Sequence, residues 1–154
     1  MINNLLITNL NGNSVFSKYY NNLNEEKQSE YEKLLYQFTK EEWGNAKNEK
    51  HLVTEFSGYI TVFTGVGDLM LFLCGSDEYD ELALSDILIP IVESLKDICK
   101  KKGVTEAYFI EQIPKFILYL DEIIQRGHLD QVQLESIQNY FALKHDQPLK
   151  KDNV

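Results

Sequence analysis

An α+β domain, with an antiparallel sheet covered by helices, is the fold class this sequence predicts, and two observations carry it. Five short segments rich in β-branched and aromatic residues are joined mostly by turns of a few residues, and connections that short make neighbouring strands antiparallel. Longer segments with apolar residues three and four positions apart separate and follow them, the spacing of one buried helix face. The 154 residues suffice for a single core that removes on the order of 70% of the unfolded chain's surface from water. No Pro-, Gly- or Ser-rich stretch divides the chain and no repeat recurs in it, so one domain is expected.

Residues Leu5 to Asn9 and Ser14 to Tyr20 flank Asn11-Gly12, a dipeptide at ease with positive φ, and are expected to pair as a tight hairpin. Asn24 is a good N-cap; after it Tyr31, Leu34, Leu35 and Phe38 recur on one helical face, with Gly44 as the expected stop. Strands are then expected near Lys50 to Phe56 and Tyr59 to Thr64, parted by Ser57-Gly58, and at Leu69 to Cys74 after a turn at Gly65 to Asp68. Beyond Ser76, the residues Asp77, Glu78, Asp80 and Glu81 supply negative charge suited to a helix N-terminus. Leu84, Ile87, Leu88, Ile91, Leu95 and Ile98 continue as one face. Phe109, Ile113, Phe116, Ile117, Leu120, Ile123 and Ile124 mark a third helix stopped at Gly127. A fourth is expected from Asp130, where Gln133 completes a pattern like a capping box, through Val132, Ile137, Tyr140 and Phe141. Pro90 and Pro114 fall inside helical patterns, so a kink or a break is expected at each.

With 15 Lys and Arg against 24 Asp and Glu, the net charge of -9 repels a phosphate backbone. The basic residues are scattered apart from Lys100-Lys101-Lys102, so nucleic acid is not an expected partner. Direct adhesion to an anionic bilayer is disfavoured for the same reason. The longest apolar run, Leu69 to Cys74, is far shorter than the roughly 20 residues of a membrane span. The first residues lack the basic and apolar regions of a signal peptide. Ile2 stands where myristoylation needs glycine, and the final Lys151-Asp152-Asn153-Val154 holds no prenylation cysteine. Cys74 in an apolar strand and Cys99 on an apolar helix face suit a reducing compartment. A cytoplasmic protein that reaches membranes only through partners is expected.

Groups for catalysis do not converge. His51, His128 and His145 are far apart, and neither cysteine has a metal-ligand neighbour at two to four residues. Surface histidines, core thiols, no metal and no other cofactor are therefore expected. Gly65-Val66-Gly67 lacks the rest of a phosphate-loop pattern and reads as a turn. Asp121 and Glu122, adjacent on a helix, point about 100° apart and do not close on one substrate. Capping, or pairing with Arg126, is the plainer role. Lys100 to Lys102 suit a helix C-terminus. No enzymatic activity is expected, a small hydrolase being the least favoured reading. Val15, Tyr59 and Phe63, apolar on strands that also carry core-type residues, are expected to belong to a partner-facing surface.

Three blocks resemble the small subunits of the heterotetrameric vesicle-coat adaptors, the σ chains of the AP complexes and the ζ chain of coatomer. Leu5-Leu6-Ile7-Thr8-Asn9-Leu10-Asn11-Gly12 with Phe16-Ser17-Lys18-Tyr19-Tyr20 is similar to their opening hairpin. Asp68-Leu69-Met70-Leu71-Phe72 with Gly75-Ser76 and Glu81-Leu82 is the second block, and Leu120-Asp121-Glu122-Ile123-Ile124 with Gly127 the third. The spacing of the later blocks leans toward ζ. Helix one and Lys40 to Lys50 are less similar, which suits a divergent branch such as the small subunit of the TSET complex. The resemblance implies a longin-type (SNARE-like) domain over residues 1–145, followed by a polar tail at 146–154. It also implies a large adaptor subunit, a helical solenoid, as principal partner within a heterotetramer that sorts cargo and forms vesicles. The family's apolar pocket for acidic dileucine signals maps to Leu69, Val92 and Val104, while the arginine that meets the signal's acidic residue is replaced by Val15. The rival is a free-standing longin- or profilin-like regulator that binds a SNARE or a small GTPase.

Overall fold

The structure, a computed structural model, describes residues 1–56 and 58–126. The expected stop at Gly127, the fourth helix from Asp130, His128, His145 and the tail at 146–154 lie outside the described residues. Five strands form one sheet: β1 (Ile2–Asn9), β2 (Ser14–Tyr19), β3 (Leu52–Phe56), β4 (Tyr59–Val66) and β5 (Leu69–Gly75). Their order is β2-β1-β5-β4-β3, with every neighbouring pair antiparallel. Helix α1 (Glu25–Thr39) and a 3-10 segment (Lys40–Ala46) lie between β2 and β3, and α2 (Glu81–Ile98) and α3 (Glu106–Arg126) follow β5.

Alternation along the strands sends side chains to both faces, and both faces are covered, which is why β1 and β5 are buried almost throughout and β5 is apolar along nearly its whole length. Leu5 and Ile7, Leu69, Leu71 and Leu73 pack against α2 and α3 in the larger core, with Val62 and Val66 from β4. Leu6, Met70, Phe72 and Phe63 form the second core with Leu35, Trp43 and Ala46. Phe63, expected on a partner-facing surface, is buried here and stacks on Phe72 at 5.5 Å between ring centroids.

Several local expectations are corrected. The hairpin between β1 and β2 is looser than a two-residue turn: Thr8 pairs with Ser14, and Asn9 Oδ1 accepts from the backbone N–H of Asn11 and Asn13 at 2.9 and 3.0 Å. That bracing lets Leu10 to Asn13 form the loop. Asn24 caps α1 as expected, accepting from Lys27 N at 2.9 Å. Gly44 does not stop the helix, because the α-helical ladder ends at Thr39 and tightens into the 3-10 segment that contains Gly44. Thr39 Oγ1 donates to Leu35 O and accepts from Trp43 Nε1, which turns the indole down onto Phe72. The turn expected at Gly65 to Asp68 shortens to Gly67-Asp68, since Gly65 and Val66 pair within β4. Of the acidic group expected at the start of α2, Asp80 is the cap, accepting from Ala83 N at 2.9 Å, and Glu81 lies in the first turn, whereas Asp77 and Glu78 lie before the helix. Neither proline breaks its helix: α2 runs through Pro90 and α3 through Pro114.

Candidate protein-interaction site

The residues singled out for a dileucine pocket come together, but in the core. Leu69 and Val92 are 0% and 4% exposed within the larger cluster, and the half-buried Val104 packs on it. Val104 enters through the loop from α2 to α3, where its carbonyl accepts from Asp68 N at 3.1 Å and presses against Gly67, whose φ is +56°. Val15 stands half-buried on the edge strand β2, packed against the same cluster. Beside it Phe16 meets Phe116 edge-on at 5.6 Å, fastening β2 to α3. These side chains form a closed apolar layer.

The opposite face of the sheet is less completely covered. Of the expected face of α1, Leu35 is buried and Tyr31 partly so, whereas Leu34 and Phe38 are 43% and 62% exposed. From α1, Leu35 enters the second core with Tyr31 and Tyr36 packed against it, and Trp43 and Ala46 of the 3-10 segment complete that layer. Between α1 and the strand ends near Asn4 and Tyr59 lies an open cleft of about 270 Å³, walled by Leu23, Leu34 and Tyr59 and floored by Asn4 and Cys74. Burial pushes the Tyr31 phenol well above its usual value, and likewise the Cys74 thiol, so both stay protonated at neutral pH. Asn3 and Asn4, polar yet buried near the start of β1, mark this cleft in the sequence, but the strand was expected only from Leu5 onward and neither residue was singled out.

Around α3 the expected face is mostly interior, with Phe109, Phe116, Leu120, Ile123 and Ile124 buried and Ile113 partly buried against the core; Ile117 is turned partly to solvent, beside the exposed Ile110 and Leu118. His51 is not a plain surface histidine. It is half-buried with Nδ1 3.1 Å from Ser85 Oγ on α2, and desolvation holds its pKa below the ordinary value, partly opposed by Glu49. Lys102, from the triplet after α2, lies over the Tyr108 ring, and Lys100 pairs with Asp97 at 3.7 Å. Cys74 and Cys99 are both free and buried. Among the described residues no three His, Cys, Asp or Glu side chains gather as metal ligands. No helix among them is long and apolar enough to cross a membrane.

The fold is thus a five-stranded antiparallel sheet with helices on both faces and with apolar side chains left exposed on α1 and α3. The profile of the clathrin adaptor complex small chains matches residues 1–147, and the chain belongs to that family. It is similar to "TSET complex member tstD" of Dictyostelium discoideum, with 86% identity over 154 residues that cover all of both chains. It is also similar to coatomer subunit zeta-1 of Arabidopsis thaliana, at 29% identity over 145 residues, covering 93% of this chain and 77% of that one. "Probable coatomer subunit zeta-A" of Dictyostelium discoideum is 25% identical over 118 residues, covering 75% and 65%. A chain of a homology model of the full-length AP-3 complex in a stretched open conformation superposes with a TM-score of 0.66 at 20% identity, over 97% of this chain and 99% of that chain. That likeness concerns the fold. The expected longin-type α+β fold and the expected coat or adaptor small subunit in vesicle transport are thereby borne out.

Proposed function

We propose that the chain is the small subunit of a TSET-type adaptor complex, seated on the helical solenoid of a large subunit and held at membranes only through its partners. The single observation that carries this reading is the 86% identity across the full length of both chains to a TSET complex member. The exposed apolar side chains on α1 and α3, Leu34, Phe38, Ile110 and Leu118, support it, because a subunit built into a larger assembly keeps such side chains for its neighbours. Its work is to stabilise the solenoid, and it needs no chemistry of its own. Co-purification from cells of the tagged chain with a large solenoid subunit in one-to-one amounts is the expected result. Recovery of a lone SNARE or GTPase instead would support the free-standing regulator and overturn this reading.

Direct cargo selection is a minor part of the proposal. Leu69, Val92 and Val104 remain the place where a dileucine side chain would enter, and their burial means that entry requires the α2–α3 loop to move away from Gly67. Val15 offers no charge-assisted hydrogen bonds to the acidic residue of such a signal.

A further inference from the structure

A groove of about 640 Å³ runs between the β1–β2 loop, the 3-10 segment and the β4–β5 turn. Trp43 and Met70 of the second core border it from beneath, and its rim carries the exposed Leu10 and the half-buried Tyr36. Lys40 opens the 3-10 segment and Lys47 follows its last residue; both line the groove and both are exposed. Lys40 lies over the Tyr36 ring at 5.8 Å, and neither lysine makes an ion pair among the described residues. The lining holds one carboxylate, that of Glu49, and it is engaged elsewhere. Asn48 and Glu49 take φ of 61° and 63°, a left-handed path that is costly for residues with a Cβ. Along it the Glu49 N–H donates to Gly65 O at 3.0 Å and the carboxylate meets Lys96 of α2 at 2.8 Å. Glu42 of the same segment lies outside the groove and accepts from Asn45. In a chain of net charge -9, the groove therefore joins an apolar rim to two cations that no carboxylate answers. From this we infer that it docks an acidic peptide segment of a partner protein, one aliphatic side chain of which lies between Leu10 and Tyr36 while carboxylates on either side of it reach Lys40 and Lys47.

Charge complementarity chooses the occupant. The two ammonium groups belong to opposite ends of the 3-10 segment, so they suit negative charges set several residues apart along a chain. An ammonium is a compact charge on a flexible stem, which takes a carboxylate without demanding one geometry. A lone phosphate is better held by the planar fork of an arginine, and no arginine lines the groove. An anionic bilayer fits less well than a peptide, because the acidic remainder of the chain would be pressed against it as well. The apolar part of the occupant follows from Leu10, a large side chain 54% exposed at the tip of the hairpin, beside the ring of Tyr36. A peptide that covers Leu10 removes that surface from water, which the carboxylates alone would not do.

The inference goes beyond the adaptor reading and does not depend on it, and its test uses the full chain. Trp43 is the only tryptophan in the sequence, so its fluorescence reports on the groove alone. The probe is the peptide N-acetyl-Glu-Ala-Leu-Ala-Glu-amide. Titration is expected to change the emission saturably, with binding weakened about fivefold or more when both glutamates are replaced by glutamine. Replacing the leucine by glycine should weaken it too, and raising the salt from about 0.05 to about 0.5 M should lower the affinity of the glutamate peptide but not of the glutamine one. The double variant Lys40→Gln, Lys47→Gln alters two exposed positions, so Tm should stay as it is while the two peptides come to bind alike. Leu10→Asn, also exposed, should weaken both peptides. Constant emission at millimolar peptide would overturn the inference, as would equal binding of the glutamine peptide to the parent chain or a double variant that still prefers glutamate. So would phosphatidylserine vesicles that bind through the same two lysines while the peptide does not, since the groove would then serve a membrane surface.

Discussion

Gly67 holds the β4–β5 turn in a conformation that a side chain would spoil twice. Its φ of +56° disfavours any residue with a Cβ, and a Cβ built there meets the Val104 carbonyl at 2.3 Å. Gly58 has a φ of +80° but nothing within 4 Å. Gly58→Ala is therefore expected to cost about 1 kcal/mol for the backbone alone, and Gly67→Ala about 3 kcal/mol once the clash is included; urea unfolding of the pair separates the two effects. Near Val104, Val15 sets a second expectation: acidic dileucine peptides bind the wild-type chain with its large subunit weakly or undetectably by calorimetric titration. Val15→Arg raises the affinity about tenfold or more, since a charge-assisted hydrogen bond contributes roughly 1.5–3 kcal/mol. Micromolar wild-type binding that depends on the peptide's acidic residue would contradict this. His51 gives a pH signature. Its folded pKa lies below the unfolded value of about 6.5, so its contribution is present above pH of about 6.5 and lost as pH falls through the folded value. The drop in Tm between neutral and mildly acidic pH should be smaller in His51→Gln than in the wild type. Single residues were unevenly legible in the sequence: Asn24 announced its cap, whereas His51 and Asn4 owe their character to elements distant along the chain, which no local pattern reveals.

Helix α2 keeps one apolar phase from Leu84 to Ile98 through Pro90, and the structure keeps it continuous. Of the kink or break expected from the missing donor, a break does not occur, because Leu88, Ile91 and Leu95 on either side of the proline are anchored in the same core. Pro90→Ala restores a backbone donor but removes ring atoms from a buried position, and the two effects oppose each other. The helical circular dichroism should be unchanged and the stability within about 1 kcal/mol of the parent; a collapse of the helical signal would show that the proline sets a required bend. Elements with strong periodicity, α2 above all, were thus readable from spacing alone. The end of α1 was not. Gly44 looked like a stop, but Thr39 and Trp43 bond to each other and draw the chain into a tighter turn earlier, an outcome decided by the aromatic layer of Trp43, Phe72 and Phe63 in the sheet. Likewise Leu34 and Phe38 obeyed helical spacing without being interior, since periodicity marks a face and says nothing of what covers it.

At the scale of the molecule, apolar side chains left outside on both helical layers predict a chain that is incomplete by itself. Size-exclusion and thermal melts should show self-association and a low Tm for the free chain, and a monodisperse, more stable species with a large-subunit fragment, because obligate interfaces commonly bury more than 2,000 Å². An equally stable, monomeric free chain would count against the assembly. The order β2-β1-β5-β4-β3 has another outcome, on the ribosome. The central strand is the last one made: Asn9 of β1 waits for Leu69 of β5, about 60 residues later. At synthesis rates of roughly 5–20 residues per second, β1 has a bare edge for about 3–12 s. A two-stranded hairpin is marginal in that interval, and an unpaired apolar edge templates wrong pairings. The nascent N-terminal half is thus a natural client for chaperones, and a message truncated before β5 yields a chain with no sheet to complete.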